Sequence, residues 1–274
     1  MRQARRVEQR GAGNGGGPVR RRPRGIYLLP NLFTTAGLFA GFYAIIAAIG
    51  GRFYAAAVAV FVAMVMDGID GRVARLTHTE SDFGKEYDSL SDMVCFGLAP
   101  ALVMYEWSLS SLSGMGLLWG RLGWITAFVY AVGAALRLAR FNTSVGKVDR
   151  RYFQGLPSPS AAAVVAGMVW LGADLGIPGH SVAIPAMLLT LAAGLLMVSN
   201  FRYYSFKEID FSNPVPFAAI LVMVFVISLL LTDPPKLLFG GFTLYACSGP
   251  VLTLVQRRRI RRRKQAISGG RKGG

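Results

Sequence analysis

The stretch MDGIDGRVARLTHTESDFGKEYDSLSDMVCFG (66–97) carries seven of the fourteen acidic residues in the chain. It follows the apolar run FYAAAVAVFVAMVM (53–66) and leads into VCFGLAPALVMYEW (94–107). The chain is otherwise apolar and basic, with 53% hydrophobic and 16% charged residues over 274 positions and a net charge of +16. Acidic side chains at the ends of membrane-grade segments are costly and usually functional. We therefore expect the function of the chain to depend on this stretch.

Apolar segments of roughly the 20 residues needed to cross ~30 Å of hydrocarbon recur along the sequence. They are continuously apolar, whereas the strands of a membrane β-barrel alternate between apolar and polar residues. We predict an all-α polytopic membrane protein, with the turn Gly50–Arg52 closing a hairpin of the first two spans. The eight predicted spans lie at about 31–49, 53–75, 86–106, 122–141, 159–174, 182–200, 215–232 and 237–256.

The basic residues predict the orientation of these spans. With the N-terminus inside, 27 of the 30 Lys and Arg residues lie on the cytoplasmic side, as do both termini and the acidic stretch. We expect a disordered basic tail at 1–25, one transmembrane domain at 26–256 and a second basic tail at 257–274. The tails are interpreted as topology determinants that contact anionic lipid. No nucleic-acid partner is expected, because no folded basic module accompanies them.

Helical geometry brings the first acidic residues onto one face. The apolar part of the second span, 53–66, is only about 21 Å long, so the helix must continue through the aspartates that follow it. Carboxylates there offer hard oxygen ligands to a divalent cation. Small residues beside them let a phosphorylated ligand approach the backbone, and an arginine can bind its phosphate oxygens. The residues of this stripe, at i, i+3, i+4, i+7 and i+8, are Asp67, Asp70, Gly71, Ala74 and Arg75.

The third span contributes a second pair of carboxylates. Asp88 and Asp92 are spaced i, i+4 and therefore face the same way. The ten residues Leu76–Lys85 are enough to return the third span antiparallel to the second. Four carboxylates then converge on one pocket at the cytoplasmic ends of the first three spans and their neighbours, where they would repel one another without a cation.

The spacing Asp67-x2-Asp70-Gly71-x2-Ala74-Arg75-x8-Gly84-x3-Asp88-x3-Asp92 resembles the signature of the CDP-alcohol phosphotransferase family at every fixed position. The resemblance implies that the first three aspartates bind Mg²⁺ or Mn²⁺, with two ions expected. These ions would hold the diphosphate of a CDP-linked lipid. The fourth aspartate, Asp92, would act as the base that deprotonates the acceptor alcohol, and could also contact the second metal.

The same resemblance implies which residues contact the nucleotide. Gly71, Ala74, Arg75 and Gly84 would line it, because they match the remaining fixed positions of the signature. The stretch PNLFTT (30–35) at the start of the first span also resembles the family. That similarity places Asn31 and Thr34 near the cytidine or the metal.

Three further stretches resemble the bacterial and archaeal membrane-embedded phosphatidylserine synthases. They are DSLSDMVCFGLAPA (88–101), RLARFN with FQGLPSPSAAA (137–142 and 153–163), and LLMVSNFRYYSFK (195–207). The resemblance implies that CDP-diacylglycerol is the donor and L-serine the acceptor, with phosphatidylserine and CMP as products. It also implies the inner (cytoplasmic) membrane of a prokaryote, with surrounding membrane lipids as partners. A homodimer is expected from the resemblance together with the spacing of Gly37 and Gly41.

The contacts to the acceptor are less well defined by the sequence. A guanidinium can bind a serine carboxylate through two hydrogen bonds, although arginines at this position can also simply anchor the end of a span. The candidates are Arg137, Arg140, Asn142, Pro157, Asn200, Arg202 and Lys207. Glycerol 3-phosphate or inositol phosphate remains open as an alternative acceptor.

A transporter coupled to cations is the competing function from another class. It predicts carboxylates near the midplane and two halves related by an internal repeat. The acidic residues here cluster in a single hairpin, and residues 130–256 contain no second copy of the pattern. The sequence therefore favours the transferase.

Overall fold

The computed structural model describes residues 28–77, 81–144, 152–204 and 233–270, together with a few helical residues between 221 and 232. Eight helices are labelled here: α1 (Leu28–Ile49), α2 (Phe53–Thr77), α3 (Asp82–Asp92), α4 (Ala99–Trp107), α5 (Leu117–Ser144), α6 (Ser158–Asp174), α7 (Ala183–Val198) and α8 (Pro234–Gly270). A π-helical segment, Met93–Leu98, joins α3 to α4, and 3₁₀ segments at Leu109–Met115 and Gly179–Val182 precede α5 and α7. Two short strands, β1 (Tyr152–Gln154) and β2 (Arg202–Tyr204), pair antiparallel with Phe153 opposite Tyr203.

The helices of the described residues fit an integral membrane protein, as the sequence predicts. Four segments are long and apolar enough to cross a membrane, and a fifth is added if the bent pair Asp82–Trp107 and Leu109–Met115 forms one span. The four are Pro30–Ile49, Phe53–Thr77, Leu117–Thr143 and Gly179–Val198. The count of eight spans stays a prediction, because α6 has only 17 residues and most of 215–232 lies outside the described residues.

The predicted hairpin of the first two spans is present. Gly51 adopts φ +71° in the turn, a conformation that glycine reaches without steric cost, and the Arg52 amide donates to the Ala47 carbonyl at 2.8 Å. Helices α1 and α2 then pack along their length through small buried residues such as Ala44 and Ala56. The hairpin brings the N-terminal part of α1 beside the acidic end of α2.

The third span differs from the continuous helix predicted at 86–106. Helix α2 runs on to Thr77 and α3 begins at Asp82, so the connection is shorter than the predicted Leu76–Lys85. Ser81 caps α3 by accepting a hydrogen bond from the Gly84 amide at 3.0 Å. The π-helical turn Met93–Leu98 then interrupts the span just after Asp92. Such turns widen the helix locally and are frequent at functional sites.

Helix α6 lies at the centre of the bundle. Twelve of its 17 residues are buried, and it packs against α2, α4, α7 and α8. Its buried face consists mostly of alanine, valine and glycine, which allow neighbouring backbones to approach closely in a membrane protein. The short predicted span at 159–174 is therefore a helix that is surrounded by protein.

Gly37 and Gly41, whose spacing was used to predict a homodimer, pack against other residues of the same chain. A Cβ atom on Gly41 would lie 2.8 Å from the Cys95 sulfur, and one on Gly37 would lie 3.5 Å from Cβ of Met66. Both glycines therefore serve the packing of α1 against α2 and the π-helical segment. The two glycines therefore give no support to the homodimer, which stays a prediction from the family resemblance.

Helices α5 and α7 approach each other closely through their backbones. A Cβ atom on Gly133 would lie 2.6 Å from the Gly194 carbonyl oxygen, which is backbone and cannot rotate away. Gly133→Ala should therefore force the helices apart and destabilise the protein by about 1–3 kcal/mol. The loss of stability is measured as a lower midpoint of thermal unfolding, with the folded fraction of the heated protein read by size-exclusion chromatography.

The matched control is Gly240→Ala in α8, where nothing lies within 4 Å of the added Cβ. Because alanine favours a helix over glycine by up to about 1 kcal/mol, this variant should be neutral or slightly more stable. A thermal midpoint for Gly133→Ala equal to that of Gly240→Ala would contradict the close α5–α7 contact.

Candidate active site

Three of the four signature aspartates form a compact cluster. Carboxylate oxygens of Asp67 and Asp70 on α2 and of Asp88 on α3 all lie within 4.8 Å of one another. Asp70 is only 5% exposed. The i, i+3 spacing on α2 and the antiparallel return of α3 produce this arrangement, as the sequence predicts.

Helix α1 supports the cluster from a third side. The Thr34 hydroxyl donates to Oδ2 of Asp70 at 2.7 Å, and both residues are buried. A threonine cannot neutralise the carboxylate, so the bond orients Asp70 while leaving its charge in place. Thr34 therefore contacts the carboxylate cluster. The sequence had placed it near either the cytidine or the metal.

Polar contacts between α1 and α3 fix the position of the second pair of aspartates. The Ser91 hydroxyl donates to the Thr34 carbonyl at 3.3 Å, and the Cys95 thiol to the Gly37 carbonyl at 3.2 Å. The hydroxyl oxygens of Thr35 and Tyr87 lie 2.9 Å apart. These contacts occur along one face of the third span, so they hold its acidic face against α2.

Asp92 lies in the same cavity as the three clustered aspartates. The cavity is lined by Thr34, Gly37, Ala63, Asp67, Asp70, Asp88, Ser91, Asp92, Cys95 and Phe96. The cavity has a free volume of about 10 Å³, which is roughly the room that one water molecule or ion needs. Asp92 is within hydrogen-bonding reach of Asp67 and in the electrostatic field of Arg137 on α5. The surroundings of Asp92 therefore combine the carboxylate cluster with the positive charge of the half-buried Arg137.

The donor set of this cavity fits a divalent cation. Octahedral Mg²⁺ takes oxygen ligands at about 2.0–2.1 Å, so its ligands lie up to roughly 4.2 Å apart. The oxygens of Asp67, Asp70 and Asp88 are already close to that separation. Three carboxylates at this distance repel one another strongly in a medium of low dielectric constant. Both the geometry and the charge therefore favour a hard cation at this position.

The residues predicted to line the nucleotide lie beside the cluster. A Cβ atom on Gly71 would meet nothing within 4 Å, so the α2 surface is open there. Gly84 is in the first turn of α3, and a Cβ atom added to it would lie 3.5 Å from Oδ1 of Asn31 on α1. Ala74 is half-buried and Arg75 is exposed on the same helix. Gly71 directly follows Asp70 on α2, and Gly84 lies about one turn before Asp88 on α3, so both are close in the chain to the clustered aspartates.

The acceptor candidates fall into distinct environments. Arg137 donates to the buried hydroxyl of Ser158 at the start of α6. Arg140, one turn later, donates to backbone carbonyls and to Oδ1 of Asn200. Of these two arginines, Arg137 is the one that contributes to the electrostatic environment of Asp92.

The remaining acceptor candidates are more scattered. Asn142 donates to the Ser89 hydroxyl at 3.0 Å, and Pro157 immediately precedes α6 as its N-cap residue. Arg202 belongs to β2, with its backbone paired to Gln154. Lys207 lies outside the described residues.

Residues 27–248 match the sequence model of the CDP-alcohol phosphatidyltransferase family. The chain belongs to this family. The family is named for the transfer of a phosphatidyl group, and the carboxylate cluster lies inside the matched range. The chain is accordingly a CDP-alcohol phosphatidyltransferase-family enzyme, as the signature predicts.

Curated relatives cover most of this phosphatidyltransferase. The CDP-diacylglycerol–serine O-phosphatidyltransferase of Helicobacter pylori is 37% identical over 225 residues, which is 82% of this chain and 90% of the relative. The enzyme of the same name from Mycobacterium leprae is 30% identical over 240 residues, 85% of this chain and 77% of the relative. The archaetidylserine synthase of Methanothermobacter thermautotrophicus is 31% identical over 177 residues, 64% of this chain and 69% of the relative.

Several polar residues near the phosphatidyltransferase site were not predicted from the sequence. Ser91 could have been found, because it lies three residues after Asp88 and one before Asp92 on a helix whose polar face is otherwise acidic. Ser158 accepts a hydrogen bond from Arg137, and Tyr245 of α8 contributes to the electrostatic environment of the same arginine. Neither residue is marked by its spacing from other polar residues in the sequence. Their proximity to Arg137 depends on tertiary packing that no local spacing encodes.

Thr34→Val tests the support that α1 gives to the carboxylate cluster. Valine keeps the shape of threonine and removes the hydrogen bond to Asp70, so divalent metal should bind about 10–100-fold more weakly. The metal concentration needed for half-maximal activity measures this. Thr190→Val is the control, because Thr190 is equally buried but bonds only the Ala186 carbonyl of its own helix. Equal metal requirements in the two variants would contradict a role for Thr34.

Proposed function

We propose that the chain transfers the phosphatidyl group of CDP-diacylglycerol to the hydroxyl of L-serine, giving phosphatidylserine and CMP. The observation that carries the proposal is the clustering of Asp67, Asp70 and Asp88 in one cavity with Asp92. The choice of serine is supported by the names of the relatives, which include two serine O-phosphatidyltransferases. The sequence resemblance around residues 88–101 points to the same acceptor.

The reaction is a displacement at phosphorus. The serine hydroxyl oxygen forms a bond to the phosphatidyl phosphorus, and the bond from that phosphorus to the oxygen of CMP breaks, with its electron pair leaving on CMP. The hydroxyl proton passes to a carboxylate of the enzyme. No oxidant, reductant or covalent enzyme intermediate is required.

Asp67, Asp70 and Asp88 are proposed to hold Mg²⁺ or Mn²⁺, with two ions expected. A bound divalent ion neutralises charge on the phosphate oxygens and orients the leaving group. Thr34 keeps Asp70 in its ligating orientation through the 2.7 Å hydrogen bond. Gly71 leaves the α2 surface open for the nucleotide, and Gly84 with the neighbouring Asn31 is proposed to contact it from α3 and α1.

Asp92 is proposed as the base. It lies one turn beyond Asp88 on the same helical face and shares the cavity with the ligand cluster. A carboxylate in this position can accept the proton as the hydroxyl attacks, which contributes typically 10²–10⁴-fold to the rate. Arg137, which contributes to the electrostatic environment of Asp92, is proposed to bind the serine carboxylate.

The topology proposal follows from the same arrangement. The carboxylate cluster lies at the end of the α1–α2 hairpin opposite the Gly50–Arg52 turn. We propose eight spans with both termini and this end in the cytoplasm, supported by the distribution of Lys and Arg. Soluble serine and CMP would then enter and leave from the cytoplasm.

Release of CMP from CDP-diacylglycerol tests the function and the metal site together. Purified protein is incubated with CDP-diacylglycerol and each of L-serine, glycerol 3-phosphate, inositol phosphate and inositol, with or without divalent metal. We expect CMP release and phosphatidylserine formation only with serine and metal. Turnover with glycerol 3-phosphate or inositol phosphate in place of serine would overturn the choice of acceptor.

Asp67→Asn, Asp70→Asn and Asp88→Asn should each abolish turnover in this assay while the protein still inserts and purifies normally. The amide keeps the size of the side chain and removes the charge that a cation needs. Near-normal activity of any of the three at saturating metal would remove that residue from the ligand set.

Asp92→Asn distinguishes a base from a ligand. If Asp92 accepts the proton, kcat should fall by about 10²–10⁴-fold while the affinity for CDP-diacylglycerol is retained. Isothermal titration of the CDP-lipid into the variant, at fixed Mg²⁺ or Mn²⁺, measures that affinity. Lost binding that excess metal restores would show that Asp92 serves chiefly as a ligand.

A further inference from the structure

Arg140 is half-exposed, and both terminal nitrogens of its guanidinium bond to the protein itself. Its Nη2 group donates to the carbonyl oxygens of Gln154 at 2.6 Å, Met197 at 3.2 Å and Ser199 at 3.4 Å. Its Nη1 group donates to the Val198 carbonyl at 3.1 Å and to Oδ1 of Asn200 at 3.4 Å. Both terminal nitrogens of the guanidinium therefore have acceptors before any substrate arrives.

These acceptors come from two different elements. Met197 and Val198 are the last residues of α7, and Ser199 is its C-cap, where carbonyl groups lack partners within the helix. Gln154 ends β1, immediately before the GLPS loop (155–158) that leads into α6. Arg140 thus joins the end of α7 and the start of this loop to α5.

The GLPS loop is held tightly at the same place. The Gly155 amide donates to the Phe201 carbonyl at 2.9 Å, and the Leu156 amide to the Leu196 carbonyl at 3.0 Å. Gly155 adopts φ +82°, and a Cβ atom there would lie 2.3 Å from the Met197 carbonyl oxygen and 2.6 Å from Nη2 of Arg140. The start of the loop therefore packs directly against the Arg140 guanidinium and the end of α7.

Ser158 is the point at which this loop meets the proposed acceptor site. Its hydroxyl is fully buried and accepts a hydrogen bond from Nη1 of Arg137. Arg137 lies one helical turn before Arg140 on α5 and contributes to the electrostatic environment of Asp92. A shift of the loop would move Ser158 and release or rotate the Arg137 guanidinium beside the base.

We propose that Arg140 is a positioning residue, which fixes the GLPS loop so that Ser158 orients Arg137 for the acceptor. The inference rests on the proposed function, because it takes the carboxylate of the acceptor as the partner of Arg137. Arg140 acts through Ser158 and does not contact the acceptor. It should determine the affinity for serine far more than the binding of the CDP-lipid.

Steady-state kinetics of Arg140→Lys provides the first readout. Lysine keeps the charge but cannot serve five acceptors in two directions, so the loop should loosen. We expect the KM for serine to rise about tenfold or more, with a smaller change in kcat and an unchanged KM for CDP-diacylglycerol. Arg121→Gln, at the other end of α5, is the control and should leave all three constants at wild-type values. A uniform fall in kcat with unchanged KM for serine would show that Arg140 is only a structural anchor.

A double-mutant cycle with Ser158→Ala separates positioning from direct binding. If Arg140 acts through Ser158, adding Arg140→Lys to Ser158→Ala should raise the KM for serine little further. If Arg140 contacts serine itself, the two effects should multiply, and the proposal falls. Asn200→Ala, which removes one acceptor of Arg140, repeats the cycle if Arg140→Lys does not fold.

The outcome for the wild-type protein distinguishes this inference from the proposed function. Wild-type protein that transfers no phosphatidyl group to serine overturns the proposed function. The cycle is then measured with whichever carboxylate- or phosphate-bearing acceptor supports CMP release. If the wild type does use an acceptor and the effects of Arg140→Lys and Ser158→Ala on its KM multiply, only the proposed role of Arg140 is overturned.

Discussion

Mutual repulsion among clustered carboxylates is the constraint on which the rest of the structure depends. Asp67, Asp70 and Asp88 lie with their oxygens within 4.8 Å of one another, at the end of helices that are otherwise apolar. Three like charges this close repel one another, so the fold must hold them together and a cation must offset their charge. The α1–α2 hairpin, the return of α3 and the bond from Thr34 to Asp70 all serve that arrangement.

Local spacing predicted the parts of this site that one or two helices encode. The stripe on α2 and the pair on α3 are consequences of 3.6 residues per turn, and the hairpin follows from Gly50–Arg52. The π-helical turn at Met93–Leu98 was missed, because a change of helical pitch leaves no mark on hydrophobic periodicity. The glycine spacing of α1 could not show what those glycines pack against, because it is the same whether Gly41 faces a second protomer or Cys95.

The acceptor side of the site was the least predictable, because it is built from residues far apart in the chain. Arg137 and Arg140 look equivalent in sequence, three residues apart at the end of one helix. Only the packing of α7 and the GLPS loop separates them, by giving Arg140 backbone acceptors and Arg137 the hydroxyl of Ser158. In the proposed function, the carboxylates of α2 and α3 thus serve the donor substrate, and the arginines of α5 serve the acceptor.

Direct titration of Mn²⁺ is the measurement closest to the central claim that the carboxylate cluster is a cation site. Electron paramagnetic resonance reports free Mn²⁺ in solutions of the purified wild-type protein and of Asp70→Asn. The account predicts that the wild type binds Mn²⁺, that CDP-diacylglycerol tightens the binding, and that Asp70→Asn loses it. Equal Mn²⁺ binding by the two proteins, or none by the wild type in the presence of the CDP-lipid, would contradict the account.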